Sequence, residues 1–167
     1  MSWFKQISEL WQGQRNPSIA VYKTATLPAA TGSVNLFTVA GGRVRLVDLV
    51  GSIVTPPGGT AATILARLRH TPATGVTNMC ADIVDIKAWV ATRLLTITGA
   101  VAVAMADGGV TGIQVLQSFA TNQQQLEPGI ISLLMTEGAG GVGDIVGAIK
   151  WTIRYIPMED GAVVTAA

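Results

Sequence analysis

The sequence predicts an all-β domain, an antiparallel sandwich or barrel, preceded by a short amphipathic helical arm. Three observations predict it. Runs of apolar and β-branched residues recur between Gly/Pro turns about every 8–12 residues, the spacing of antiparallel all-β domains. Apolar residues make up 49% of the 167-residue chain, yet they are scattered among Thr and Gly. No run approaches the roughly 18 apolar residues that a membrane helix needs. Only residues 1–17 follow a helical period instead.

In that arm Trp3, Phe4, Ile7, Leu10 and Trp11 fall at i, i+1, i+4, i+7 and i+8, one stripe of a helix. Gly13 and Asn16-Pro17 stop it. Two of the four tryptophans lie here. So short a helix is marginal in water, and the stripe is expected to dock on a partner or on the domain itself. The division is therefore an arm, 1–17, and one β domain, 18–167, long enough for a single core.

From Ser18 the signals are strand and turn. "SIAVYKTATL" ends at Pro28 and Thr31-Gly32. The runs 33–40 and 43–55 flank an Ala-Gly-Gly turn, and "PPGG" closes the second. "AATILARLRHT", "NMCADIVDI", "VATRLLTITG", "GAVAVAMA", "GIQVLQSFA", "IISLLMTE" and "DIVGAIKWTIRYIPM" follow, giving roughly eight to ten strands. Alternation in "GAVAVAMA" would put Val101, Val103 and Met105 on one face, and "DIVDIKAWV" also admits a helical turn. The run 43–55 is unusual because both alternating sets are apolar. Its Val44, Leu46, Val47, Leu49 and Val50 suit a strand with one face in the sandwich and the other against a neighbouring subunit. Burial under a loop of its own chain is the alternative.

Charged residues reach only 13%, about half the usual share, so part of the surface is expected to be covered by other chains. The net charge of +1 supplies no field for nucleic acid. The pairs Arg43/Arg45 and Arg67/Arg69 have strand spacing and read as solvated or salt-bridged positions. Cys80, the single cysteine, excludes an internal disulfide and reads as a small buried residue. Glu9 and its polar neighbours interrupt any signal-peptide core, so the chain is expected on the cytosolic side.

Motifs for chemistry fail one by one. "GAGGVG", 138–143, fits the dinucleotide fingerprint G-x-G-x-x-G, but the 24 residues after Gly143 read as strand and cannot complete a βαβ unit. A glycine-rich hairpin loop is expected there. His70 and Cys80 are one of each where zinc sites usually need three or four such ligands. Asp82 and Asp85 form a close carboxylate pair without a supporting motif, and Glu159-Asp160-Gly161 is turn chemistry. No phosphate-binding loop and no nucleophile elbow occurs. No catalytic residue, metal or cofactor is expected.

Four segments, "LLTITG", "LEPGIISLLMT", "GAIKWTIRYIPMEDGAVV" and "LFTVAGGRVRLVDLVGSI", resemble a family of small structural proteins of tailed bacteriophages. The resemblance spans roughly residues 24–164 and leaves out the arm. It implies a β-sandwich or jelly-roll decoration (cement) protein, made in the host cytoplasm and carried on the outer capsid surface of the virion. There it would form a homo-oligomer, a trimer, and clamp adjacent major capsid proteins without catalysis. A head-fibre base or tail component is the alternative in the same setting. A carbohydrate-binding sandwich is the alternative from another class, with Trp89 and Trp151 as platforms, although core positions explain both better. Attachment of residues 3–11 to a membrane surface is disfavoured, since Lys5 is the one cation within the stripe.

Overall fold

A computed structural model describes residues 18–81, 85–97, 102–107 and 124–167. The expected arm and the expected strand at 112–120 lie outside the described residues. The elements are β1 (Ile19–Thr26), β2 (Gly32–Ala40), β3 (Val44–Gly58), β4 (Ile64–Pro72), β5 (Thr77–Asn78), β6 (Leu94–Thr96), β7 (Ala106–Asp107), β8 (Gln125–Leu126), β9 (Gly129–Glu137), β10 (Val146–Pro157) and β11 (Val163–Ala166).

They form two antiparallel sheets. The first, sheet A, has the order β1-β10-β3-β6-β7, with β8 also on β3; the second, sheet B, has the order β11-β2-β9-β4-β5. From β1 to β4 the chain changes sheet at every connection, and β9 to β10 crosses again. The Ala-Gly-Gly and "GAGGVG" turns are thus crossings between sheets. This corrects the expected glycine-rich hairpin loop. The crossings need sharp reversals, and Gly41 (φ 73°), Gly140 (φ 77°) and Gly143 (φ 79°) supply left-handed backbone there.

One core lies between the sheets, and period-two alternation fills it. From β10 come Ile149, Trp151, Ile153 and Tyr155; from β9 come Ile131, Leu133 and Met135; from β4 come Ile64, Ala66 and Leu68. Trp151 is fully buried and Trp89 nearly so, as core positions require. On β1, Lys23 has the parity of the inward Val21 and Ala25, and its ammonium donates to the carbonyl of Ala167 beyond β11. An inward charge on an edge strand discourages pairing with another chain.

The doubly apolar run of β3 resolves through a bulge. Leu46 faces Tyr155 and Asp48 faces Arg154, so Val47 is an extra residue in the ladder. An extra residue reverses the parity of everything after it. Val44 and Leu46 precede it, Leu49 and Ile53 follow it, and all four point into the same core with at most 2% exposure. The two apolar sets therefore serve one face in succession. A bulge in β2, at Leu36, likewise buries the consecutive Leu36 and Phe37.

Three strand expectations change. β3 runs through Pro56 and Pro57 to Gly58 because its ladder with β10 is irregular there, the place where a missing N–H is tolerated. Among the described residues of "NMCADIVDI" only Asn78 is in a strand, and the described part of "DIVDIKAWV" is a turn closed by Trp89 N–H to the Ile86 carbonyl (3.1 Å). Residues 102–105 are turn and bridge, so Val103 is 47% exposed while Met105 is buried. The two do not share a face as alternation implied, and Val101 lies outside the described residues.

Candidate functional site

The residues expected at an oligomer interface divide sharply. Val44, Leu46 and Leu49 have at most 1% of their surface exposed, which leaves nothing for another chain to cover. For these three the interface assignment is corrected by the bulge. Val47 and Val50 are half-buried, and Val54, left unpaired where the ladder with β10 shifts again between Ile53 and Thr55, is 51% exposed. The outer face of sheet A carries Val50 opposite Thr152, which is opposite Tyr22. Tyr22 is 59% exposed, and the Lys150 ammonium lies 5.6 Å from its ring centroid, a cation–π contact. Beside them Arg154 Nε–H donates to Asp48 Oδ2 at 2.7 Å, with a second contact from Nη2. Asp48 is 6% exposed despite facing outward. The face is thus mixed, with aliphatic and aromatic patches around one sheltered ion pair.

Side chains clasp the two ends of the sandwich. At one end the Arg43 backbone N–H donates to Glu159 Oε2 (3.2 Å) and its Nε–H to Oε1. The Arg43 side chain holds the Glu159 carboxyl below its usual range. At the other end Asp144 accepts the Thr60 N–H on both oxygens (2.9 and 3.0 Å) and the Thr60 hydroxyl on Oδ1 (3.0 Å). Those bonds lower its pKa, the backbone donor most. Both clasps join turns far apart in sequence and fix the crossings.

A groove of about 380 Å³ opens where the sheets part at the end occupied by the β4–β5 and β8–β9 turns. Thr74, Thr77 and Asn78 line one side and Gln124, Gln125 and Glu127 the other, over Met79 and Leu126. His70 also lines it. This histidine is 6% exposed, and its Nε2 lies 3.0 Å from the Glu127 carbonyl oxygen. A carbonyl only accepts, so Nε2 carries the proton. Burial lowers the His70 pKa, opposed by the bond to the Glu127 backbone. Gly129 packs so closely on β4 that a Cβ there would lie 2.5 Å from the Thr71 oxygen, which seats the β8–β9 turn. Sequence reasoning weighed His70 with Cys80 as a zinc ligand and set it aside for want of further ligands. Its parity with Ile64, Ala66 and Leu68 was the available signal that it points inward.

The remaining sequence candidates scatter. Trp3, Phe4, Ile7, Leu10, Trp11 and Asp82 lie outside the described residues. Asp85 adopts φ 63° and its Oδ1 accepts the Lys87 N–H (2.9 Å), a local turn device. Arg67 and Arg69 share the outer face of sheet B, opposite Leu134 and Ser132. Trp89 lies under the Arg93 guanidinium, 4.3 Å from ring centroid to Cζ. Cys80 is fully buried, and its Sγ accepts the Leu68 N–H (3.3 Å). Among the described residues no group of three or more His, Cys, Asp or Glu is placed to hold a metal ion. Among them also, no helix is long and apolar enough to cross a membrane.

No family model matches the chain, and no curated protein matches it. Among solved structures it is similar to a chain of "Structure of infectious bursal disease virus Gx strain" at 13% identity and a TM-score of 0.31. The match covers 88% of this chain and 36% of that one, so this chain spans about a third of that chain's length.

Proposed function

We propose that this chain is a structural subunit of a virion, a jelly-roll protein that decorates and stabilises a bacteriophage capsid. The observation that carries the reading is the strand order. β1 and β3 flank β10 in one sheet while β2 and β4 flank β9 in the other, and β6 or β8 extends the first as β5 extends the second. Four strands of each sheet in this alternation fit the double Greek key of a jelly roll, an architecture that recurs in viral capsid and lectin domains, which supports the reading. Architecture alone assigns no activity. The phage setting rests on the four segments that resemble the tailed-phage structural proteins.

In this reading the chain acts by burying surface, without catalysis. Copies associate as a homotrimer through the outward Val47, Val50 and Val54 of sheet A. The apolar stripe of residues 3–11 docks on the major capsid protein, and several arms per oligomer multiply weak contacts into firm attachment. Imaging of particles that carry this protein tests it. Density for the sandwich on the outer shell, bridging capsid subunits, is the expected result. Density confined to a tail or a fibre would replace decoration with the alternative assignment in the same virion, and a chain absent from particles would overturn both.

A further inference from the structure

We propose that copies of this chain meet through the end of the sandwich at which β1 crosses to β2, β3 to β4 and β9 to β10. The inference rests on the homo-oligomer proposed above and names a further surface for it. Hydrogen bonds gather the three crossings. Ile145 N–H donates to the Ala29 carbonyl (2.7 Å), Leu27 N–H to that of Gly147 (3.0 Å) and Ala62 N–H to that of Ala139 (2.8 Å). The segments that build this end are almost without charge. No charged residue lies between Lys23 and Arg43 or between Asp48 and Arg67, and Asp144 alone lies within 138–149. The carboxylates at the crossings are engaged, Asp144 by Thr60 and Glu137 by the Gly143 N–H (3.2 Å). At the border, the Lys87 ammonium donates to the Ala61 carbonyl (2.6 Å). The opposite end instead carries Arg43, Glu127 and Glu159.

What this end exposes is aliphatic. Val142 is 75% exposed and Val146 59%, and Ala29, Ala30 and Pro56 are exposed beside them. Val54 follows Val50 along β3, so the end is continuous with the sheet A contact already proposed. An uncharged aliphatic surface flanked by polar groups is the composition of an interface core. The partner that fits it is a second copy. An oligomer closed about a rotation axis brings equivalent residues near that axis together. A charged surface must then find its complement or repel itself, whereas an uncharged one packs on itself without that constraint. Desolvation also costs little, since the N–H groups named above already have partners within the chain. The same bonds fix the surface before association, which leaves little ordering to impose.

Sedimentation velocity on the full chain at micromolar concentration tests this, with Val142→Lys and Val146→Lys as variants and Val76→Lys as the control. Val76 is 60% exposed and lies between β4 and β5, at the opposite end. The wild-type chain and the control should sediment as the same oligomer. Each end variant should weaken association about tenfold or more. Both should keep the wild-type far-ultraviolet circular dichroism, since neither side chain is part of the core. Association of the wild type should survive about 1 M NaCl, because no exposed ion pair holds the contact. End variants that associate like the wild type overturn this inference alone, and dissociation of Val50→Lys in the same experiment keeps the sheet A contact. A control that dissociates as readily as the end variants overturns it too. Wild-type protein that is monomeric overturns the oligomer and this inference together; if it then floats with phosphatidylcholine vesicles, the end is a lipid contact instead.

Discussion

Trp151 of β10 lies across Gly51 of β3, its cross-strand partner, so closely that a Cβ on Gly51 would stand 2.9 Å from the indole Cζ3. Ile149 Cγ2 would be 3.0 Å away. The glycine is thus the floor on which the largest fully buried side chain of the core rests. Gly51→Ala should destabilise the domain by about 1–3 kcal/mol, the usual cost of overpacking. Gly32→Ala is the control, because its nearest contacts would be an ordinary 3.6 and 3.7 Å. Urea denaturation reads both, and equal midpoints would refute the steric account.

The Asp48–Arg154 pair sits beside the β3 bulge, with the carboxylate sheltered and the guanidinium 40% exposed. Removing Asp48 strands a cation that water can still reach in part. Asp48→Ala is therefore expected to cost about 1–3 kcal/mol, below the range for a fully buried pair. A double-mutant cycle with Arg154→Ala measures the coupling. Additive single effects would mean that the pair holds nothing together.

His70 gives a pH dependence with a definite sign. Its folded pKa lies below the ordinary 6.5 because burial disfavours the imidazolium. The unfolded chain therefore takes up the proton first as pH falls. Stability is complete above about pH 6.5 and declines below it until the folded histidine also titrates. Thermal melts from about pH 7.5 to about pH 5.5 should show this decline, and His70→Gln, which can still donate to the Glu127 carbonyl, should flatten it. An unchanged slope in that variant would assign the effect elsewhere.

Val50→Lys and Val54→Lys place charge on the outer face of sheet A without entering the core. If that face joins copies, each variant should shift sedimentation toward monomer and leave the urea midpoint of the isolated domain within about 0.5 kcal/mol. Leu49→Lys is the contrast, since it buries a charge in the core and should prevent folding. Wild-type protein that sediments as a monomer at micromolar concentration would remove the interface.

If the stripe of residues 3–11 docks on a capsid as proposed, deleting residues 2–16 should abolish that attachment and spare the melting temperature of the sandwich. Co-sedimentation with particles and a thermal melt together decide it. Aggregation or a large loss of stability in the truncated chain would make the stripe a lid on its own domain.

The elements themselves were legible from the sequence because strand alternation and turn chemistry are local. Alternation in "AIKWTIRY" puts Ile149, Trp151, Ile153 and Tyr155 on one side whatever the partner. Gly41 and Glu159-Asp160-Gly161 mark reversals through the backbone they allow. What the sequence could not decide is how β3 is used. Its two apolar sets looked like two buried faces because alternation was carried straight through Val47. Whether a residue is skipped depends on the hydrogen-bond ladder that β10 offers from about a hundred residues away, and a bulge is a property of the pair and not of one strand. The same holds for the groove. Thr77 and Leu126 belong to different sheets, and only the packing of one sheet on the other, driven by the core they share, brings both to the groove that His70 lines.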